Sequence, residues 1–260
     1  MPAAATYDRR IAPSASTAWA VEALFVADFE REAPLVSIPR PETHLVVRFG
    51  PSAHHGLDAH AFGARDRTHR KLIRAGQRSI TARLRIGATE AVLGAPAAAI
   101  AGRIVALADL WGAPETEQLR ERLASAPTTL AAAQILESAI ASRLALSRPS
   151  RAPTALTLAA AQKLTCASVN AVADDLGVSE RHLRRLFHES VGMAPKAFSK
   201  LARFHRALQA MRQERGASWA SIAAEAGYYD QAHLIAEFRT IAGATPRALL
   251  DELRAAPSGA

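Results

Sequence analysis

The apolar positions change period part-way along the chain. In residues 44–50 (HLVVRFG), Leu45, Val47 and Phe49 fall on one face, and in residues 79–87 (SITARLRIG), Ile80, Ala82, Leu84 and Ile86 oppose Thr81, Arg83 and Arg85. A period of two is that of a strand with one buried face. Residues 71–74 supply another short strand. From Thr89 onward the period becomes helical, with Gly and Pro dividing short helices around Ala95 and Pro96 and around Gly112 and Pro114. Residues 115–126 and 128–146 read as two longer helices, the second striped by Leu130, Ile135, Leu136, Ile140 and Leu144. Residues 147–154 (SRPSRAPT) hold two prolines, two arginines and no large apolar side chain, the composition of a linker. Everything beyond reads as helix, apart from a frayed tail at 255–260. The pattern therefore predicts an α+β N-terminal domain over 1–146, a small sheet followed by helices, and an all-α C-terminal domain over 155–260.

The C-terminal domain contains an internal repeat. Residues 172–195 (VADDLGVSERHLRRLFHESVGMAP) return as 222–246 (IAAEAGYYDQAHLIAEFRTIAGATP). Leu183, Phe187, Gly192 and Pro195 recur at Leu234, Phe238, Gly243 and Pro246 by one common step. Ala173 and Gly177 recur at Ala223 and Gly227 by one position less, so the second copy has an extra residue in its turn. Each copy reads as helix, tight turn, helix. Ser168 caps the first helix and Gly177 ends it, since glycine takes a left-handed turn without steric cost. Ser179 caps the next, which gathers Leu183, Leu186 and Phe187 on one side and Arg181, Arg184, Arg185 and His188 on the other. Arginine forks match the acceptor pair on a guanine edge, and those that miss a base hold phosphate. A solvated helix face in an ordinary bundle is the plainer reading of one such helix; the repeat favours a pair of DNA readers. In the second copy Asp230 caps a helix with a Leu234, Phe238 and Ile241 stripe. Between the copies, residues 195–214 form a helix of about five turns, with Lys196, Lys200, Arg203 and Arg206 as candidate phosphate contacts. Thr245 caps a last helix.

Residues 157–250 resemble the DNA-binding domain of AraC/XylS-type transcriptional regulators, which carries two helix-turn-helix units joined by a long helix. The resemblance rests on the AxxxG of each turn, the LxxxF of each reader, the GxxP endings and the extra turn residue of the second unit. It implies that Arg181, Arg184 and Arg185 face bases from the first reader and Gln231, Ala232, His233 and Ala236 from the second, with His188 and Arg239 beside them. Ala232 and Ala236 stand where long polar side chains are expected, with Glu237 nearby, so the first unit is expected to supply most of the discrimination. Family analogy also implies RNA polymerase as a partner. Residues 79–112 weakly resemble effector-sensing regions of such regulators, which implies modulation by a small molecule or by a second subunit in a homodimer. The alternative is a ligand-binding or protein-interaction protein whose helical bundle no longer binds DNA.

Composition agrees with a DNA partner without requiring one. The 260 residues suit two domains, and a formal charge of +8 favours a polyanion. The single cysteine, Cys166, allows no internal disulfide and no CxxC metal pair, which fits a cytoplasmic protein; it reads as a buried apolar group. The first sixteen residues, rich in Ala, Pro and Ser, read as loosely ordered. Residues 19–29 (WAVEALFVADF) carry Glu22 and Asp28 and read as an amphipathic segment, not a secretory signal. No stretch has the length of a membrane span. His54, His55, His60 and His69 share one loop-like stretch. They form no HxH pair on a strand and have no carboxylate at ligand spacing, so neither a metal nor a cofactor is expected. Trp111 and Trp219 read as core. With no Gly-rich phosphate loop, nucleophile elbow or HExxH, enzymatic activity is not expected.

Overall fold

Alternation in the N-terminal region builds a larger sheet than the sequence predicts. The computed structural model describes residues 7–146, 151–213 and 218–255. Its strands are β1 (Tyr7–Ile11), β2 (Val21–Phe29), β3 (Ala33–Ser37), β4 (His44–Phe49), β5 (Leu57–Phe62), β6 (His69–Ile73), β7 (Gln77–Leu84) and β8 (Ile104–Ala106). Six of them form an antiparallel sheet in the order β1-β2-β7-β4-β5-β8, and β3 pairs with β6 in a second sheet. Of the residues expected to face inward, Leu45, Val47, Ile80, Ala82 and Leu84 are completely buried, whereas Ile86 lies beyond the end of β7 and packs, partly buried, against the C-terminal core. That face is covered by helices α1 (Thr89–Leu93), α2 (Ala97–Ile100), α3 (Leu107–Trp111), α4 (Ala113–Ala124) and α5 (Thr129–Leu146), of which α5 contributes Leu136 and Ile140. The opposite face, with Phe25, Val46, Thr81 and Arg83, looks toward the β3–β6 pair across a cavity.

Several expectations need correction. The opening residues are ordered from Tyr7: β1 pairs with β2, and the Ser14 amide donates to Glu137 at 2.6 Å. The amphipathic segment 19–29 is largely strand β2. The histidine-rich stretch is not one loop, because β5 runs through it with Arg48 across the ladder binding Asp58. Strand β8 interrupts the helical region. The 147–150 portion of the expected linker lies outside the described residues, and α6 (Arg151–Lys163) starts inside the rest of it. Pro153 falls in the first turn of α6, where a missing N–H costs no intrahelical bond.

The C-terminal region continues with α7 (Val169–Asp175), α8 (Glu180–Val191), α9 (Pro195–Gln213), α10 (Trp219–Ala226), α11 (Gln231–Ala242) and α12 (Pro246–Ala255). Phe187, Phe204 and Phe238, one each from α8, α9 and α11, are fully buried at its centre. The Phe204 and Phe238 rings lie 4.6 Å apart. This core is not closed on itself: Val36, Ile38 and Ala64 of the N-terminal region belong to the same cluster.

Candidate nucleic-acid interface

The two units are built as the capping residues dictate. Ser168 and Ser179 accept from the amides of Ala171 and His182, at 3.4 and 3.2 Å. In the second unit Ser218 accepts from Ser221, and Asp230 from His233 at 2.7 Å. Each cap satisfies an amide that the first turn leaves without a carbonyl. Gly177 and Gly227 make the turns at φ +65° and +83°. Buried Leu183, Leu186 and Phe187 fix the roll of α8, and Leu234, Phe238 and Ile241 fix that of α11.

With the roll fixed, Arg181, Arg184, Arg185 and His188 are all exposed on α8. Arg184 is tethered to Glu180 one turn back, N–O 2.5 Å, and Arg185 lies 3.4 Å from the His182 ring. On α11, Gln231, Ala232, His233, Ala236 and Arg239 are exposed. Tyr229, just ahead of that helix, is 92% exposed and was not singled out by periodicity; an aromatic in a turn has no stripe to betray it.

Glu237 is not part of this surface. It is 5% exposed and binds Arg203 of α9 through both oxygens, at 3.2 and 2.6 Å, while Arg203 lies 4.9 Å from the Tyr228 ring centre. The pair holds the Arg203 guanidinium above its ordinary range, and burial beside Glu237 pushes the Tyr228 phenol up. Arg203 is thereby withdrawn from the candidate phosphate contacts. Arg206 is withdrawn as well, since it donates to the carbonyls of Thr165 and Ala226. Lys196 stays exposed and Lys200 half-buried. Arg184, Lys196 and Ser199 line an open groove of about 900 Å³ between α8 and α9.

Cys166 is exposed rather than buried, its thiol 3.6 Å from the Lys163 carbonyl in the turn after α6. A turn between two helices presents its side chains to water, whatever their hydropathy. Trp111 is core, donating to the Val92 carbonyl, and Trp219 packs on the C-terminal cluster. Of the four histidines, His60 lies 3.3 Å from Asp58, and among the described residues no three potential ligands converge on a metal position. No helix among them is long and apolar enough to cross a membrane.

The N-terminal region grips both readers, and at corresponding places. Gly192, which ends α8, lies so close to α2 that a Cβ there would stand 2.9 Å from the Ala97 carbonyl oxygen. The carbonyl of Ile241, near the end of α11, accepts from the Thr68 amide at 2.9 Å. Nearby Arg70 binds Glu252 of α12, and His205 of α9 lies 2.8 Å from the Pro39 carbonyl. A carbonyl can only accept, so His205 Nε2 carries the proton. These contacts leave the N-terminal halves of both reader helices uncovered. Those are the halves that reach base edges when such a helix enters the major groove.

The family model described as a helix-turn-helix domain matches residues 172–252, the span from α7 to α12. Those residues form a helix-turn-helix domain of the AraC type. A domain of this type binds DNA in transcription regulation, and here it comprises both units and the whole of α9. No curated protein matches the chain. Among solved structures, a transcriptional regulator of Chromobacterium violaceum with an AraC-type DNA-binding domain is 24% identical. It covers 42% of this chain and 100% of its own, with TM-score 0.36. ToxT from Vibrio cholerae O395 is 9% identical, covering 91% of this chain and 97% of its own at TM-score 0.43. Unsaturated fatty acid bound ToxT from Vibrio cholerae strain SCE256 is also 9% identical, covering 96% and 97% at TM-score 0.42.

Proposed function

We propose that this chain is a sequence-specific transcription regulator in which residues 155–260 bind duplex DNA and residues 1–146 modulate that binding. The observation that carries the reading is the joint exposure of Arg181, Arg184 and Arg185 at the N-terminal half of α8. The bidentate arginine–guanine pair is the commonest specific base contact, and α8 offers three such side chains where α11 offers Gln231 and His233 between alanines. The second unit therefore docks mainly on backbone, through Arg239 and the phenol of Tyr229, and contributes a thymine methyl contact at Ala232 or Ala236. Lys196 and Ser199 in the groove beside α8 suit phosphate. The nineteen residues of α9, about 28 Å long, suit readers placed about one DNA turn apart. Modulation is supported by the contacts that join the N-terminal region to α8, α9, α11 and α12. Its small-molecule effector or second subunit acts by changing how those contacts position the readers.

Footprinting on DNA flanking the chain's own gene tests this reading. Two protected segments about one helical turn apart on one face are expected. Absence of protection on any flanking fragment, with the folded chain in excess, would leave only the alternative of a bundle that has lost DNA binding.

A further inference from the structure

We infer that the histidine three residues after the cap of each reader, His182 in α8 and His233 in α11, is a positioning residue that aims its unit's DNA-directed group, Arg185 in the first unit and Tyr229 in the second. The inference rests on the proposal that both units bind DNA. Within it, two side chains that touch neither base nor phosphate gain a role. His182 and His233 are separated by the same step that relates Leu183 to Leu234. The amide of each is held by the cap, at 3.2 Å from Ser179 Oγ and 2.7 Å from Asp230 Oδ1, which locks the backbone under both rings. Each Nδ1 then lies 3.4 Å from a group that can only donate: Nη2 of Arg185 in the first unit, the amide of Tyr229 in the second. Both Nδ1 atoms are therefore acceptors, and the ring proton sits on Nε2 in each.

The two rings turn different ways because the turns differ by one residue. Val178 donates to the Ala173 carbonyl at 3.0 Å and Tyr228 to the Ala223 carbonyl at 2.8 Å, so these two residues correspond. Ser179 follows Val178 at once as the cap, whereas Tyr229 stands between Tyr228 and the Asp230 cap. Tyr229 is thus the inserted residue, and its amide falls outside both the bond that closes the turn and the ladder of α11. His233 supplies the acceptor, in the manner of a capping box whose third residue reaches back with an imidazole. The turn is also fixed from behind. Tyr228 is buried with its ring 5.3 Å from that of His233, and Arg206 of α9 donates to the Ala226 carbonyl at 3.0 Å. What this backbone presents is the almost fully exposed Tyr229 ring ahead of α11. Its phenol is a neutral donor suited to a phosphate oxygen. Of Gln231 and His233, Gln231 is then left to read a base.

The first unit has no inserted amide to satisfy, and its histidine serves the side chain one turn ahead instead. The contact occupies Nη2 of Arg185 and leaves Nε and Nη1 for the two acceptors on a guanine edge. A guanidinium steadied at one nitrogen loses less freedom when it binds. A neutral imidazole does this without competing for the arginine as a carboxylate does; Arg184, by contrast, must be released from Glu180.

Affinity and site selection of the full chain on its footprinted fragment test both roles, with folding of each variant checked by circular dichroism. Tyr229→Phe and His233→Ala should each weaken binding about tenfold on every sequence alike, as loss of a hydrogen bond to a charged group requires. The double variant should be no weaker than either single one, because His233 acts through Tyr229. His182→Ala should instead relax the one base position that Arg185→Ala relaxes. Asparagine places Oδ1 where the imidazole has Nδ1, so His182→Asn and His233→Asn should restore wild-type binding. Tyr229→Phe that binds as the wild type, losses that add in the double variant, a changed base preference in His233→Ala, or an asparagine variant no better than alanine overturns the role in the second unit. An unrelaxed site in His182→Ala overturns it in the first. In each of these cases DNA binding by the wild type still stands, whereas a wild type that binds no DNA defeats the functional reading and this inference together.

Discussion

Arg184 and Arg185 are neighbours in sequence, yet α8 gives them different freedom. Arg184 must leave Glu180 to reach a base, a small cost because an exposed i,i+4 pair contributes only about 0.5 kcal/mol. Arg185 has no carboxylate tether among the described residues and lies 3.4 Å from the His182 ring. Replacing Arg185 by Ala should cost about 1–3 kcal/mol of specific affinity and relax one base position, as selection from a randomised site would record. If instead Gln231→Ala and His233→Ala abolish site selection while Arg185→Ala is neutral, the ranking of the two units is reversed. Glu237 shows what the residue pattern could and could not say. It lies three positions after Leu234 and four before Ile241, so its spacing puts it on the buried stripe. Its partner Arg203 is remote in sequence, and no local rule reveals the pair. Glu237→Ala leaves the half-buried Arg203 guanidinium without its carboxylate and should destabilise the protein by about 1–3 kcal/mol, measured by urea denaturation.

At the scale of elements, the repeat units were legible because every boundary in them is chemical: Ser179, Asp230 and Thr245 accept from the first-turn amides, and Gly177 and Gly227 take positive φ. The sheet was less legible. Strand β2 is covered on both sides, by α5 and by the β3–β6 pair, so Val21, Ala23, Leu24, Val26 and Ala27 are buried without alternation. Strand β8 is three residues long and exists because β5 offers it an edge. Gly192 belongs to both regions. Its φ of +80° disfavours any other residue, and a Cβ would press on the Ala97 carbonyl. Gly192→Ala should lower the melting temperature and increase amide exchange in α2 as well as in α8; protection lost only in α8 would mean that the contact with α2 carries no weight.

The whole molecule is one packed body with two chemistries, and its acid response follows from the seam. Burial, with Arg40 next, pushes His205 down to about 4, and His44 lies at about 3. Unfolded imidazoles titrate near 6.5, so as pH falls the unfolded chain takes up these protons first. Stability is therefore full above about pH 6.5 and declines toward pH 4, by up to about 1.4 kcal/mol per pH unit for each histidine. Melting temperatures between pH 7.5 and 5 should fall in the wild type and fall less in His205→Asn. The seam could not be read from the sequence, because Pro39 and His205 or Thr68 and Ile241 meet only through tertiary packing. Nor could the cavity, whose arginines come from β4, β6, β7 and three connecting segments.

The central claim is that α8 carries its arginines into DNA. Binding of the footprinted fragment across a salt series, for the wild type and for a chain with Arg181, Arg184 and Arg185 all replaced by alanine, tests it most directly. Wild-type affinity should fall steeply with salt, and the triple variant, folded, should bind more weakly, with a shallower slope and no preference over unrelated DNA. A triple variant that keeps the wild-type affinity, slope and preference would contradict it.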